Sequence, residues 1–573
     1  MNTMYTRTPR RRKGGAAWYT LLFLLFIAAA MGVWFIYLKF IPNQQMTVPD
    51  YKMEHPITYK GEVMDQGAVL RNDEVMVPVS ALQKVLGPGE PVYYEPESGS
   101  IVLTTANKVL QMKTDALTAQ LNQKPYELHI AAQTKDDAVY IPISPLEELY
   151  GLKAEYKADS GIVILLQSGE SIQPAKALKS KGSAIRTKTS IHSPIVEKVP
   201  QGELVRIWGE EDGWLYVQGP QGQLGYMQKS SVELANIEKI PDASKEEAFI
   251  PWKVLGSKIN LTWEAVYDRN PDTNSIGDLK GVNVASPTWF ELQDGKGTIK
   301  GNADPAYVRW AHKQGMQVWA LFSNGFEPEQ TTEALAKAET RFKMIRQLLA
   351  FAETYDLQGI NIDFENVRTS DKANLVQFVR ELTPLMHEEG LVVSIDVTPK
   401  SNSELWSLFL DRKALGQTVD YMMVMAYDEH WASSPEAGSV ASLGWTASAV
   451  KRIIEEDGVP PNKIILSMPL YTRIWTEKDG EVTSKAVGMD KIKEIISTKK
   501  LTASFDQSSG QNYVEYEDNG ALNRIWIEDG KSIQSRVKLM HDLGLAGVAT
   551  WNRSFQTSSI WSVIDDAINK RPS

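Results

Sequence analysis

The sequence has 573 residues, a formal net charge of −10 and no cysteine. Its length exceeds what one hydrophobic core supports and predicts three or four domains. The composition excludes disulfide bonds, thiol catalysis and cysteine-based zinc sites, and the acidic balance argues against binding to nucleic acid.

The N-terminus combines a basic start with a long apolar run. Residues 1–13 hold five basic side chains and no acidic one, and Ala16–Leu38 is uncharged and mostly apolar. A helix of that length rises about 35 Å, enough to cross a bilayer. We predict a cytoplasmic basic tail (1–15), a transmembrane anchor (16–38) and an extracellular remainder. A signal peptide cleaved near Ala28–Ala30 is the alternative.

An internal repeat follows a short polar linker (39–52). Within residues 53–170, Met76–Leu82 and Ser98–Leu103 return as Tyr140–Leu146 and Ser160–Leu165, with a period of about 63 residues. Each copy predicts a strand, a short helix and a strand pair that turns at Ser-Gly. The repeats resemble the copper amine oxidase N-terminal domain, a resemblance that implies no copper site. We interpret them as a spacer or a wall-contact module.

Residues 183–234 predict a small β-barrel, because short strands are separated by glycine turns. The order of its motifs resembles a bacterial SH3-type domain, which implies contact with peptidoglycan peptides. Trp208, Trp214 and Tyr226 could line a groove for such a peptide. Alternatively, Trp214 packs inward as part of the core. The motifs are Gly202–Ile207, Asp212–Val217 and Gly225–Met227.

Strand-like runs alternate with helical patterns from residue 250 to residue 573, which predicts a (β/α)8 TIM barrel in a multidomain chain. The predicted strands are Ile259–Trp263, Gly281–Ser286, Gln317–Phe322, Gly359–Glu365, Val392–Val397, Tyr421–Tyr427, Ile464–Leu470 and Gly547–Trp551. The predicted helices include Glu333–Glu353, Asp371–Glu389, Ala447–Glu456 and Ile533–Leu543. Residues 472–531 are too long for a simple loop and predict a small α+β insertion beside the barrel mouth.

The fourth predicted strand carries the candidate chemistry. Apolar residues alternate with Asn361, Asp363 and Glu365 along this strand, so these three side chains point the same way. Barrel enzymes hold their active sites at the carboxyl ends of the strands. Two neighbouring carboxylates also make each other's ionisation harder, which predicts that one stays protonated near neutral pH. A polar strand end with structural hydrogen bonds is the alternative.

This run resembles the glycoside hydrolase family 18 signature D-G-x-D-x-D-x-E, with Gln358 and Asn361 in place of the first two aspartates. Other strand ends match the family, and the resemblance covers roughly residues 250–567. The matching strand ends are Met423–Asp428, Pro469–Arg473 and Gly547–Trp551.

The resemblance implies a retaining mechanism in which the substrate's own 2-acetamido oxygen attacks the anomeric carbon. Glu365 would be the general acid, Asp363 would accept the acetamide N–H, and Tyr427 would donate to its carbonyl. We expect the remaining candidates to bind substrate: Asn361, Met425, Asp428, Tyr471, Arg473 and Trp551. Asn361 cannot ionise, yet it could hold Asp363 by a hydrogen bond, which predicts activity with an altered pH profile. Gln358 is expected to affect only local capping.

The predicted function is hydrolysis of an N-acetylated glycan outside the cell, with peptidoglycan favoured because the N-x-D-x-E form resembles that of cell-wall relatives. A chitin or chitooligosaccharide hydrolase and a non-catalytic glycan-binding wall protein are the alternatives; the presence of Glu365 favours an enzyme. The seven histidines show no metal-binding spacing, so we predict no metal and no cofactor.

Overall fold

A computed structural model describes residues 15–87, 92–178, 183–241 and 248–570. The chain divides into two compact units, one formed by residues 1–85 and 132–245 and the other by residues 86–131 and 246–573. The domain bounds predicted above stay predictions. The arginine-rich start of the predicted cytoplasmic tail lies outside the described residues.

The first unit begins with an exposed apolar helix, Gly15–Phe40. Its central part, Trp18–Tyr37, is long and apolar enough to cross a membrane, and none of that window is buried against the protein. Length and composition alone establish this property, and a signal sequence would share it.

The predicted repeat is present in the structure. Its first copy contains the strand Glu74–Pro78 and the helix Val79–Leu86, and its second contains the strand Ala138–Pro142 and the helix Ile143–Tyr150. The two repeat strands pair antiparallel, which places the copies side by side. Further strands beside them are Ile57–Tyr59, Glu62–Val63, Val69–Arg71, Gln133–Lys135, Leu152–Lys157 and Ile162–Gln167.

An eight-stranded antiparallel sheet covers the region predicted as a small β-barrel. Trp214 is only 9% exposed, in agreement with the interpretation that it packs inward. Trp208 packs against the apolar cluster around Ile162 and Ile164. Both tryptophans predicted to line a groove therefore pack against the protein, and Tyr226 is the third predicted groove residue. The SH3-type assignment stays a prediction. The strands are Ser171–Ala177, Ser183–Arg186, Ile195–Val199, Leu204–Glu211, Trp214–Gln218, Leu224–Gln228, Val232–Leu234 and Glu238–Lys239.

The second unit contains the predicted TIM barrel. Its eight parallel strands are β1 (Ile259–Glu264), β2 (Val284–Leu292), β3 (Gln317–Ser323), β4 (Gly359–Asp363), β5 (Val392–Val397), β6 (Tyr421–Met425), β7 (Ile464–Pro469) and β8 (Gly547–Trp551). Strand β1 pairs with both β2 and β8, which closes the barrel. All eight predicted strands are confirmed, although β2 starts three residues later than expected and runs on to Leu292.

Alternation along each strand separates two apolar layers. In β4, Ile360 and Ile362 point outward into the layer beneath the helices. Residues such as Leu261 and Leu321 fill the barrel interior. The polar residues of β4 therefore share the interior face near its upper end.

The outer helices agree with the sequence pattern except at one break. They are Pro305–Lys313, Pro328–Ala336, Ala338–Tyr355, Lys372–Glu388, Arg412–Thr418, Leu443–Asp457, Gly530–Asp542 and Ile560–Asn569. The single helix predicted over Glu333–Glu353 is two helices, because Lys337 adopts an extended conformation with φ −112° and ψ 137°. The backbone N–H of Ala338, which begins the second helix, donates to a carboxylate oxygen of Glu95 at 3.3 Å.

A five-stranded antiparallel meander over residues 92–127 belongs to this second unit. Its Tyr93 ring lies 4.4 Å from the guanidinium carbon of Arg341, a barrel-helix residue. Arg341 forms a buried ion pair with Glu381, with 2.8 Å from Nε to Oε2. The meander thus covers a charged pair in the helical layer. Its strands are Val92–Glu95, Ser100–Thr104, Val109–Lys113, Thr118–Leu121 and Lys124–Glu127.

The long segment between β7 and β8 is the predicted α+β insertion. It forms a five-stranded sheet with one helix, Met489–Thr498. Its first strand follows β7 almost without a break, so residues at the end of β7 connect the barrel to the insertion. The strands are Tyr471–Lys478, Glu481–Gly488, Ser504–Asp506, Gln511–Asp518 and Ala521–Ile527.

Candidate active site

A cleft of about 1170 Å³ opens at the carboxyl ends of the barrel strands. Asp363 and Glu365 line it, together with Tyr427 from beyond β6 and Trp551 from β8. The structure therefore brings together in one cleft four of the site residues that the sequence predicts from three separate strand ends.

A backbone clamp holds the position of Glu365. The side chain of Asn324, just after β3, donates to the Glu365 carbonyl at 2.8 Å and accepts from its N–H at 3.0 Å. Asn324 is fully buried and donates also to Thr331 Oγ1. The backbone carrying the candidate acid is fixed from the neighbouring strand, which leaves the carboxyl free to face the cleft. The sequence pattern held no signal for this residue.

Asn361 lies at the base of the site, fully buried. Its Oδ1 accepts hydrogen bonds from Trp263 Nε1 at 2.8 Å and from Ser286 Oγ at 3.3 Å. Its Nδ2 donates to Asp396 Oδ1 at 3.0 Å. The expected hydrogen bond from Asn361 to Asp363 is not seen among the described residues; the Asn361 amide donates instead to Asp396 on the next strand.

Asp396 is a further buried carboxyl group of the cleft lining, and it was not among the residues predicted from the sequence. It lies on β5, is 3% exposed and lines the same cleft as Asp363 and Glu365. The alternation of Ser394 and Asp396 with apolar residues in β5 was a signal that could have identified it, since that pattern repeats the one in β4.

Burial and mutual repulsion disfavour ionisation of these carboxyl groups. Burial raises the pKa of Glu365 well above its ordinary value, and the charges of Asp363 and Asp428 raise it further. Burial likewise raises the pKa of Asp363, with a contribution from Asp396. Asp363 Oδ1 is buried and has no hydrogen-bond partner among the described residues. A raised pKa at Glu365 keeps its proton available near neutral pH.

Tyr427 faces these carboxyl groups from beyond the end of β6. Burial raises its pKa well above the ordinary value, and the charge of Asp396 adds to the rise. The phenol therefore keeps its proton and can act as a hydrogen-bond donor. Met425, at the end of β6, is 8% exposed and contributes to the cleft wall.

Asp428 is held by residues outside the cleft lining. Tyr471 donates its hydroxyl to Asp428 Oδ1 at 2.6 Å, and Arg473 donates to the same oxygen at 3.2 Å. Asp428 adopts a left-handed backbone conformation with φ 58°. Tyr471 and Arg473 were predicted to bind substrate, but the structure places them behind Asp428, where they fix the direction of its carboxylate.

Exposed aromatic side chains extend the cleft beyond the acid. Trp406 is 45% exposed and Trp431 is 52% exposed, and both belong to loops that follow barrel strands. Flat apolar faces of this kind stack on sugar rings. Trp263 lies deeper, in an edge-on contact with Trp551 at 5.8 Å between ring centroids. Of these aromatic residues, Trp551 alone was predicted from the sequence.

Gln358 has a larger role than local capping. It is 1% exposed, and its Oε1 accepts from the Val318 N–H at 2.9 Å and lies 2.8 Å from His312 Nε2. It therefore ties β4 to β3 at the lower end of the barrel, away from the cleft. Across the described part of the chain, no group of three or more His, Asp or Glu side chains is arranged to hold a metal ion.

The family description Glycosyl hydrolases family 18 matches residues 288–556, which hold most of the barrel and the strand end that carries Glu365. This match supports a glycoside hydrolase. The copper amine oxidase N-terminal domain matches residues 58–165, which confirms the resemblance of the repeats.

Known proteins share this domain at moderate similarity. The chain is 28% identical over 295 residues to the uncharacterized glycosylase YvbX of Bacillus subtilis, covering 49% of this chain and 84% of the relative. It is 26% identical over 260 residues to the cortical fragment-lytic enzyme of Bacillus subtilis, covering 44% and 60%. The crystal structure of the spore cortex-lytic enzyme SleL of Bacillus megaterium shares the fold, with TM-score 0.50 and 22% identity over 54% of this chain and 74% of that one.

Proposed function

We propose that the protein is a membrane-anchored extracellular N-acetylglucosaminidase that hydrolyses β-1,4 bonds of peptidoglycan with retention of configuration. The observation that carries this proposal is the environment of Glu365, a partly buried carboxyl that lines one cleft with Asp363 and Tyr427 and whose pKa is raised well above its ordinary value by desolvation. The similarity to a cortical fragment-lytic enzyme favours a bacterial wall glycan over chitin.

In the proposed first step, Glu365 donates its proton to the glycosidic oxygen as the bond to the anomeric carbon breaks. The carbonyl oxygen of the substrate's 2-acetamido group bonds to the anomeric carbon and gives an oxazolinium ion. In the second step, Glu365 accepts a proton from water, the water oxygen bonds to the anomeric carbon, and the bond between that carbon and the acetamide oxygen breaks. The product then has the configuration of the substrate.

Asp363 and Tyr427 orient the acetamide in this scheme. The unpaired Oδ1 of Asp363 is available for the acetamide N–H, and the Tyr427 hydroxyl is available for the carbonyl oxygen. Asp428, fixed by Tyr471 and Arg473, binds the sugar beside them. In this scheme the nucleophile is the acetamide oxygen of the substrate, and Asp396 is hydrogen-bonded to Asn361 at the base of the site.

A product analysis tests the glycan and the mechanism together. The full chain in detergent should release new reducing ends from purified sacculi, retain the β configuration and be inhibited competitively by a thiazoline analogue of N-acetylglucosamine. Glycan with free 2-amino groups should resist cleavage, because it lacks the attacking oxygen. Faster release from chitin than from sacculi would favour the chitinase alternative.

Two outcomes would contradict substrate assistance: an α anomer as the first product seen by NMR, or equal cleavage of deacetylated glycan. An α anomer would mean inversion, in which a second carboxylate acts as a base and water attacks the anomeric carbon directly. Equal cleavage of deacetylated glycan would require a nucleophile from the enzyme. Either result would replace substrate assistance by a two-carboxylate scheme involving Asp428. Absence of cleavage on every glycan, with retained binding, would instead favour the non-catalytic alternative.

Membrane anchoring has a separate test. Protease added to intact, wall-stripped cells should remove everything beyond the apolar helix and spare an N-terminal epitope tag, because the arginine-rich start stays inside. The protein should remain in the membrane fraction after a high-salt wash. A mature form in the medium that begins near Met31 would show that the helix is a cleaved signal sequence.

A further inference from the structure

The cleft contains one more buried carboxyl group than the mechanism above uses. Asp396 is 3% exposed and lies on β5. Strands β4 and β5 run parallel, and Ile362 of β4 pairs with Ile395 of β5. Asp363 and Asp396 are the next residues on the two strands. Both line the cleft. Two carboxyl groups are therefore neighbours across adjacent strands on one interior face.

Among the residues that the structure describes, the charged groups acting on this pair are acidic. The titratable groups that face Asp396 are Asp363 and Glu365 from the β4 side and Tyr427 from the β6 side. Lys400 is the next cation along the chain, and it is engaged with Asp457 at 2.8 Å and Glu456 at 2.9 Å. Two buried, adjacent carboxyl groups without a cation cannot both ionise at neutral pH.

The hydrogen bonds of the pair are unequal. Asp396 Oδ1 accepts the Asn361 amide proton at 3.0 Å, whereas Asp363 Oδ1 has no partner among the described residues. A donor stabilises the charged form of the carboxylate that accepts from it. In the resting enzyme the negative charge therefore resides on Asp396 and the shared proton on Asp363.

From this geometry we propose, resting on the proposed glycosidase function, that Asp396 is a positioning residue that accepts the proton of Asp363 during the reaction. The proton leaves the Asp363 carboxyl and binds the Asp396 carboxylate, so the total charge of the pair is unchanged. Asp363 becomes the anion beside the acetamide N–H and the developing oxazolinium charge. Asn361 holds Asp396 in place for this transfer.

The directions of the pKa shifts agree with a shared proton. Burial raises the pKa of Asp396 well above its ordinary value, the Asn361 hydrogen bond opposes that rise, and the charge of Glu365 adds to it. The pair titrates as a unit, so its apparent pKa values belong to both residues.

Infrared titration tests the shared proton without any need for activity. The measurement is made in a Glu365→Gln background, where the infrared band of protonated carboxyl groups is recorded at neutral pH. Adding Asp396→Asn should reduce this band by the intensity of one carboxyl group, because Asp363 ionises once its negative neighbour is removed. Ser394→Ala, a buried change on the same strand, is the matched control and should leave the band unchanged. An unchanged band in Asp396→Asn would overturn the proposal.

The pH profile of kcat/KM provides the second readout. The plot of kcat/KM against pH should be bell-shaped. Both its acidic and its basic limb should move by about one pH unit toward acid in Asp396→Asn, since removing a negative neighbour lowers the pKa of the remaining carboxyl groups. The exchange variant Asn361→Asp with Asp396→Asn should move the limbs back, because a carboxyl again adjoins Asp363.

A reduced kcat with unmoved limbs in Asp396→Asn would show a merely structural role and overturn the proposal. If Asp396→Asn fails to fold, the test uses the exchange variant Asn361→Asp with Asp396→Asn. The proposal then requires that the infrared band of this exchange variant match the band of Ser394→Ala. A wild-type chain inactive on every glycan would refute the proposed function, while the infrared comparison would still decide the role of Asp396.

Discussion

Glu365→Gln should lower kcat by about 10²-fold or more, the loss expected from removing a general acid. The amide fills the same space and keeps the Asn324 clamp on the backbone, but it has no acidic proton for the departing oxygen. Binding should be nearly intact, because the aromatic walls of the cleft are untouched. Single-turnover release of reducing ends measures kcat, and calorimetry with an uncleaved oligosaccharide measures Kd.

Glu291→Gln is the matched control for this variant. Glu291 is another carboxyl of the cleft lining, but it is exposed to solvent and lies on β2, two strands from β4 in the barrel. Its neutralisation should change kcat by less than about threefold, as expected for a solvated group outside the reaction centre. Equal losses in the two variants, or near-normal turnover in Glu365→Gln, would contradict the assignment of the acid.

Glu381→Ala should destabilise the barrel unit by about 3–5 kcal/mol, because it leaves the buried Arg341 guanidinium without its carboxylate. Both side chains of this pair are fully buried, and two hydrogen bonds of 2.8 Å join them. The Tyr93 ring covers the guanidinium and excludes water from it. The free energy of unfolding in urea, followed by tryptophan fluorescence, measures this loss.

Two further variants separate charge from packing. Glu494→Ala removes the carboxylate of an exposed helical ion pair with Lys491 and should leave the unfolding midpoint nearly unchanged. The double variant Arg341→Met with Glu381→Leu should recover most of the stability lost in Glu381→Ala, since neither charge then remains buried. Similar unfolding midpoints for Glu381→Ala and Glu494→Ala would contradict the burial of the ion pair between Arg341 and Glu381.

The barrel was predictable from the sequence because its signals are local. Parallel strands buried on both faces appear as short apolar runs, and the alternation in Gly359–Glu365 placed Asp363 and Glu365 on one face. The break at Lys337 was not predictable, since the Ala338 N–H that follows it is bound by Glu95 of the meander, 243 residues earlier in the chain. Local periodicity contains no information on such a contact.

The same distinction applies to the site. Strand ends predicted Tyr427, Asp428 and Trp551, but the positions of Asn324 and Asp396 depend on which strands are neighbours and in what register. Tyr471 was assigned to substrate because it follows β7, and only the structure shows its hydroxyl turned to Asp428. Sequence pattern locates the face on which a side chain lies, whereas its partner depends on tertiary packing.

The meander over residues 92–127 also sets an order of events during synthesis. Its Tyr93 meets Arg341 across 248 residues of chain, and its Val102 and Val109 are buried in the layer of the barrel helices. At about 5–20 residues per second, roughly 10–50 s pass between the emergence of the two surfaces from the ribosome. Throughout that interval the apolar face of the meander has no barrel to cover it. A chaperone that binds newly synthesised chain therefore has the most time to bind at this sheet. Mutations that slow the folding of the barrel should first cause aggregation through the uncovered apolar face of the meander.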